Sequence, residues 1–306
     1  MEEKVAYIFP GQGSQWVGMG RDLYHDFPPA RAVFDEADRR LGFALSRLCF
    51  EGPEEDLRQT INAQPAIVTA SFACLEAARA TGKLPAPAFV AGHSLGEYTA
   101  LAAAGTLSFS DAVFLARERG RLMHEAGQKV PGGMVAVLGL DEVAMGEACR
   151  ESGSLIANIN CPGQLVISGR EAAVTRGGEL AKARGAARAL RLQVSGAFHT
   201  PLMQPAVDGM AQAIAALSFK SPSVPIIGNT SARPLATADE VREELLTQLC
   251  HCVQWQKSVE FMAQSGVHTF IEIGPGKVLT GLVKRISRDA KLVNIGDGGA
   301  IRGLIG

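Results

Sequence analysis

Short apolar runs that end in glycine turns recur along the chain, at Val5–Phe9, Ala88–Ala91, Val224–Ile227, Thr269–Ile273 and Leu292–Ile295. Runs of this length without a polar face predict strands buried on both sides, and amphipathic helical stretches lie between them. Strands alternating with helices predict an α/β fold. Its sheet is mainly parallel and covered on both faces, and ligands of such sheets bind beyond the carboxyl ends of the strands.

The middle of the chain has a different rhythm. Gly133–Leu138, Ile156–Asn160, Leu165–Ser168 and Ala189–Val194 are strand-like, with only two helices among them, Glu142–Glu151 and Glu171–Arg184. That order, β-α-β-β-α-β, is the ferredoxin-like pattern of a small unit able to stand as an insert. It predicts a subdomain over residues 129–195, with the main core formed by 1–128 and 196–306. Pro131-Gly132-Gly133 on one side and Ser195-Gly196 on the other supply hinge chemistry.

With 306 residues, 47% hydrophobic and 20% charged, the chain can bury a sizeable core and carries no sign of disorder. A net charge of -1 provides no basic field for nucleic acid or an anionic membrane. Met1–Tyr7 is charged where a signal peptide is apolar, and no apolar run approaches the ~20 residues of a spanning helix, which predicts a cytoplasmic protein. The six cysteines are scattered without a Cys-x-x-Cys pair, as reduced thiols are. Cys250-His251-Cys252 lacks a second ligand pair at zinc spacing, so core packing is expected there instead of metal.

Chemistry concentrates first at Gly92-His93-Ser94-Leu95-Gly96, which follows an apolar run and precedes the helix formers Glu97–Ala104. Two glycines flanking the serine relieve a sharp turn that lifts Ser94 Oγ above a helix N-terminus, with the Leu95 N–H aimed where an oxyanion would form. By itself the motif fits either a nucleophile or a plain strand-helix turn. A serine nucleophile needs a base. Of six histidines, His199 stands on a loop between a strand and a helix starting near Pro201. His93 lies inside the turn, and His25, His124, His251 and His268 read as surface or packing positions. Pairing of His199 with Ser94 is spatial and cannot be read from spacing.

Helical projection of Phe109–Gly127 places Ala112, Leu115, Ala116, Leu122, Met123 and Ala126 on one face and Arg117, Glu118, Arg121, His124 and Glu125 opposite. Arg119 falls among the apolar set. A buried guanidinium requires an anion, either an internal carboxylate or that of a substrate. The loop Phe9-Pro10-Gly11-Gln12-Gly13-Ser14-Gln15 lacks the Gly-Lys-Ser/Thr ending of a phosphate loop. It suits backbone donation to an oxyanion or a tight turn without chemistry.

Together these motifs resemble the malonyl-CoA:acyl carrier protein transacylases and the acyltransferase domains of polyketide synthases. The resemblance spans nearly the whole chain. It rests on Phe9–Gln15, Gly92-His93-Ser94-Leu95-Gly96-Glu97-Tyr98, Arg119-Gly120, Asn158-Ile159-Asn160-Cys161-Pro162-Gly163-Gln164, Phe198-His199, Val253-Gln254-Trp255 and Glu272-Ile273-Gly274-Pro275-Gly276. It implies a hydrolase-like core with a ferredoxin-like insert, and malonyl transfer from coenzyme A to a carrier's phosphopantetheine thiol through an acyl-serine, without a cofactor. By the same resemblance Ser94 is the nucleophile, His199 the base and acid, and the Gln12 and Leu95 N–H groups are the oxyanion donors. Arg119 is the carboxylate clamp, and Gln254 orients His199 through its main-chain carbonyl. Phe198 resembles the malonyl-selective type, in which a bulky ring crowds an α-methyl branch. Cys161 departs from the pattern, which has a small residue such as alanine there.

Two rival functions fit the same fold, a hydrolase of carrier-bound acyl groups and a noncatalytic carrier-binding protein. Arg119 speaks against a hydrolase for neutral chains, and intact Ser94 and His199 against loss of catalysis.

Overall fold

The computed structural model describes residues 4–194 and 196–305. Ser195 of the carboxyl-side hinge, and Met1, Glu2 and Glu3 of the charged opening stretch, lie outside the described residues. Among the described residues ten strands are present: β1 Lys4–Phe9, β2 Phe89–Gly92, β3 Gly132–Leu138, β4 Leu155–Cys161, β5 Gln164–Arg170, β6 Arg188–Arg191, β7 Ile226–Ile227, β8 Pro234–Leu235, β9 Val267–Ile273 and β10 Lys291–Ile295.

They form two sheets. The larger runs β10-β9-β1-β2-β7-β8, parallel throughout except for the β7–β8 edge pair. Successive residues of β1 serve opposite faces. Val5, Tyr7 and Phe9 join the main core with helix Thr60–Ala80, while Ala6 and Ile8 pack with Ala91, Ile227 and Trp255 on the other side. That division is why β1 reads as an unbroken apolar run.

The smaller sheet runs β4-β5-β3-β6 and is antiparallel. Helices Glu142–Ser152 and Glu171–Ala183 connect its strands. Val135, Val137, Leu165 and Ile167 pack toward these helices, with Met145 and Val174 among their partners. The opposite face carries Met134, Ala136 and Val166 into a cleft against the larger unit. Two backbone bonds stitch the units together, Ile159 N–H to Val253 O (2.9 Å) and Val253 N–H to Ala157 O (2.8 Å).

Three strands differ from expectation for local reasons. Ala189–Val194 is strand only to Arg191; Leu192 keeps one backbone bond to β3, N–H to Met134 O at 3.0 Å, and Leu192, Gln193 and Val194 wall the cleft. Val224–Ile227 shortens to Ile226–Ile227, since Pro225 has no N–H to offer. The two-residue β8 begins on a proline at the sheet edge, too short to show as a pattern. Cys161 is fully buried beside Val253 and Trp255, so the departure is absorbed by packing. The Cys250-His251-Cys252 stretch diverges, with Cys250 in the main core and Cys252 against the small unit, and the described residues contain no metal-binding cluster.

Candidate active site

β1 and β2 end side by side, and their following loops meet. Gly92 and Gly96 are fixed by space: a Cβ on Gly92 would stand 1.9 Å from the Gly96 carbonyl carbon, and one on Gly96 would stand 2.1 Å from Phe9 O. This closeness bends the chain sharply and holds Ser94 at φ 49°. The Ser94 N–H donates to Asn229 Oδ1 at 2.7 Å, and Asn229 Nδ2 donates to Gly92 O at 2.8 Å, so one amide from the end of β7 clasps both sides of the turn. Among the described residues, the N–H groups of Gln12 and Leu95 donate to no protein acceptor.

His199, also at positive φ (59°), brings Nε2 to 2.8 Å from Ser94 Oγ. Its Nδ1 lies 2.8 Å from the main-chain oxygen of Gln248. A carbonyl only accepts, so Nδ1 carries the proton and Nε2 presents its lone pair to the serine hydroxyl. Burial first, and the Arg119 charge second, hold the imidazole down at about 3, so it is neutral at physiological pH.

The orienting carbonyl is therefore that of Gln248, not the expected Gln254. The Gln254 carbonyl is occupied at the start of helix Trp255–Gln264, accepting from the Ser258 N–H (3.0 Å) and Oγ (3.1 Å), and its own N–H donates to Asn229 O. Gln248 stands where helix Ala238–Thr247 ends, with a main-chain carbonyl free of the helix ladder.

Arg119 is buried, and the described residues supply it with no ion-pair partner. Its Nη1 donates to Gln64 Oε1 (2.8 Å), and its Nη2 to Gln248 Oε1 (2.8 Å) and Ser94 Oγ (3.1 Å). Among the described residues its Nε has no partner. Neutral amides thus carry the cation up to the serine, which leaves it able to meet an incoming anion.

These groups open into a cleft of about 530 Å³. Pro10–Trp16 and His93 line one wall, and the open face of the small sheet lines the other. Phe198 lies beside His199 with its ring against Gly196. His93 points away from Ser94 chemistry, its Nε2 2.8 Å from Asn160 Oδ1 across the cleft. The acid of Glu272-Ile273-Gly274-Pro275-Gly276 has a structural task, accepting from the Leu279 and Thr280 N–H groups at a helix start.

The fold brings the expected Ser94, His199, Arg119, Gln12, Leu95 and Phe198 to one place, and adds Gln64, Gln248 and Asn229, which lie outside the sequence motifs, and Glu97, which lies inside the Ser94 motif without a role assigned to it there. A signal for Gln64 exists, a polar residue in the otherwise apolar stretch Ala63–Val68. For Gln248 and Asn229 nothing local distinguishes them.

The acyl transferase domain family model matches residues 6–295. The chain is 48% identical over 299 residues to the malonyl CoA-acyl carrier protein transacylase of Bacillus subtilis, covering 96% of this chain and 94% of that one. It is 46% identical over 287 residues to the protein of that name from Escherichia coli K12, with 92% and 93% covered. Among solved structures, an acyl carrier protein S-malonyltransferase from Vibrio cholerae superposes with a TM-score of 0.94 at 42% identity, covering 99% of this chain and 100% of that one. A malonyl-transacylase solved in complex with its type II PKS acyl-carrier protein superposes with a TM-score of 0.94 at 41% identity, with 99% of each chain covered.

Proposed function

The chain belongs to the acyl transferase domain family, and we infer that it moves malonyl groups from coenzyme A to the phosphopantetheine thiol of an acyl carrier protein. The reaction divides in two. Ser94 Oγ attacks the malonyl thioester as its proton passes to His199 Nε2, and the tetrahedral oxyanion is taken by the Gln12 and Leu95 N–H groups. Collapse expels the coenzyme A thiolate, which recovers the proton from His199. The carrier's thiol then attacks the acyl-serine by the same steps in reverse, and Ser94 regains its proton. No cofactor enters this cycle, and the protein works in the cytoplasm.

The observation that carries the malonyl reading is Arg119, a buried cation beside Ser94 Oγ with an unpartnered Nε and only neutral partners among the described residues. A hydrolase for neutral acyl chains gains nothing from it. Phe198 next to His199 crowds the α-carbon of the acyl group, which disfavours methylmalonyl by the ~1–3 kcal/mol that one misplaced methyl is worth. We treat 129–195 as the inserted unit and 1–128 with 196–306 as the core, since the cleft runs between their two sheets.

Arg119→Ala tests this reading through the ratio of two substrates. Losing charge-assisted bonds worth ~1.5–3 kcal/mol lowers malonyl kcat/KM by roughly ten- to a hundredfold. Acetyl carries no carboxylate, so the malonyl-to-acetyl ratio falls with it. An equal fall for both substrates in a normally folded variant makes Arg119 a general positioning group and removes the basis for malonyl.

A further inference from the structure

A second charge lies behind the site. Glu97, three residues after the nucleophile, is completely buried, and among the described residues no lysine or arginine touches its carboxylate. Its Oε1 accepts from Asn229 Nδ2 (2.7 Å) and the Asn229 N–H (3.1 Å), and its Oε2 from Gln248 Nε2 (2.6 Å). All three contacts are donated to it, the pattern of a carboxylate and not of an acid. Burial, and Glu244 after it, push this carboxyl well up, while the donated bonds oppose the shift.

The two amides that Glu97 grips are the two that hold the reacting groups. Asn229 Oδ1 takes the Ser94 N–H. Gln248 takes the His199 Nδ1 proton on its main-chain oxygen and Arg119 Nη2 on its side-chain oxygen, while its Nε2 also reaches Ser94 O at 3.0 Å. The Gln248 amide therefore lies between an anion and a cation. Only one of its two orientations satisfies both, with NH2 toward Glu97 and the oxygen toward Arg119.

We propose that Glu97 is a positioning and selectivity residue: acting through the Gln248 amide, its carboxylate fixes where Arg119 presents its guanidinium, and so sets the preference for acyl groups bearing a carboxylate. The proposal rests on the malonyl-transfer reading above. Glu97→Gln isolates the link. Its amide oxygen keeps both Asn229 contacts, but its NH2 meets the NH2 of Gln248. If Gln248 turns over, the conflict moves to Arg119. Either way the disturbance falls on the Gln248 amide and its partners Arg119 and Ser94 O.

The experiment follows acyl-enzyme formation from malonyl-CoA and from acetyl-CoA in wild type, Glu97→Gln, Gln248→Ala and the double variant, with thermal unfolding of each. In Glu97→Gln the malonyl rate falls at least about tenfold and the acetyl rate stays within about threefold, so the ratio falls. In Gln248→Ala, which keeps the main-chain oxygen for His199, the ratio also falls. The double variant matches Gln248→Ala alone, because with the side chain gone the conflict has nowhere to act. A purely structural role predicts equal losses for both substrates, tracking the loss of melting temperature, and losses that multiply in the double variant; either result overturns the proposal, as does a wild-type malonyl rate in Glu97→Gln. If Glu97→Gln does not fold, an unchanged ratio in Gln248→Ala is sufficient to overturn it. Absence of any Ser94 adduct in wild type instead refutes the malonyl-transfer reading itself.

Discussion

Ser94 and His199 both hold positive φ, at 49° and 59°, where a side chain costs on the order of 1–3 kcal/mol. Neighbours that leave no alternative hold them there: the facing glycines and Asn229 for Ser94, and Gln248 O for His199 Nδ1. The depressed basicity of His199 makes two predictions. Its folded value of about 3 lies below the ordinary 6.5, so the proposed base stays unprotonated far into acid, and malonyl-CoA acylation measured as kcat/KM is expected to keep its neutral value well below pH 6.5. Stability moves the other way. As pH falls from 6.5 the unfolded chain binds a proton that the folded one refuses, so His199 costs stability increasingly toward pH 3, and His199→Gln flattens that part of the stability profile. Arg119→Ala removes the second cause of the depression, so the acid limb of residual acylation rises in pH. An acid limb near pH 6.5 in wild type would show that His199 is not held in this environment. Arg119 itself is legible in the sequence, because one charge breaking a helical stripe is a periodicity signal, but which anion it awaits is not a property of its own helix.

At the scale of elements, the turn between β2 and helix Gly96–Ala103 depends on absent side chains. A methyl on Gly92 overlaps the Gly96 carbonyl and the Glu97 N–H, backbone atoms that cannot swing aside. Gly92→Ala is expected to cost at least the ~1–3 kcal/mol of overpacking, read as a lower denaturant midpoint, and to lose acylation as the Ser94 turn opens. Gly42→Ala, where a Cβ meets nothing, isolates the backbone contribution of a glycine at positive φ. The strands of both sheets are visible as apolar runs because burial on two faces, or on one face at period two, writes itself into sequence. Their ends are less visible, since past the Leu192 bond to β3 the chain Gln193–Val194 lines the cleft instead of continuing as strand. Gln254 stands in for Gln248 in the sequence pattern for a related reason. Which carbonyl remains free depends on where one helix stops and the next begins, and both glutamines lie in that short connection.

Across the whole molecule, the site is a seam. Carboxyl ends of β1, β2 and β7 supply the Gln12 loop, the Ser94 turn and Asn229, and the small sheet closes the other side. His93 to Asn160, and the bonds between Val253 and β4, tie that wall to the core. The order β-α-β-β-α-β announces the insert, but not that its open face becomes half of the cleft. A cleft of about 530 Å³ beside Ser94 has room for a thioester arm. The most direct test is the intact mass of the protein after incubation with malonyl-CoA, followed by addition of a carrier protein bearing phosphopantetheine. Wild type should gain one malonyl mass and pass it to the carrier, and Ser94→Ala, with unchanged melting behaviour, should gain none. A malonyl adduct that persists on Ser94→Ala, or a wild-type adduct released only to water in the presence of the carrier, would contradict the account.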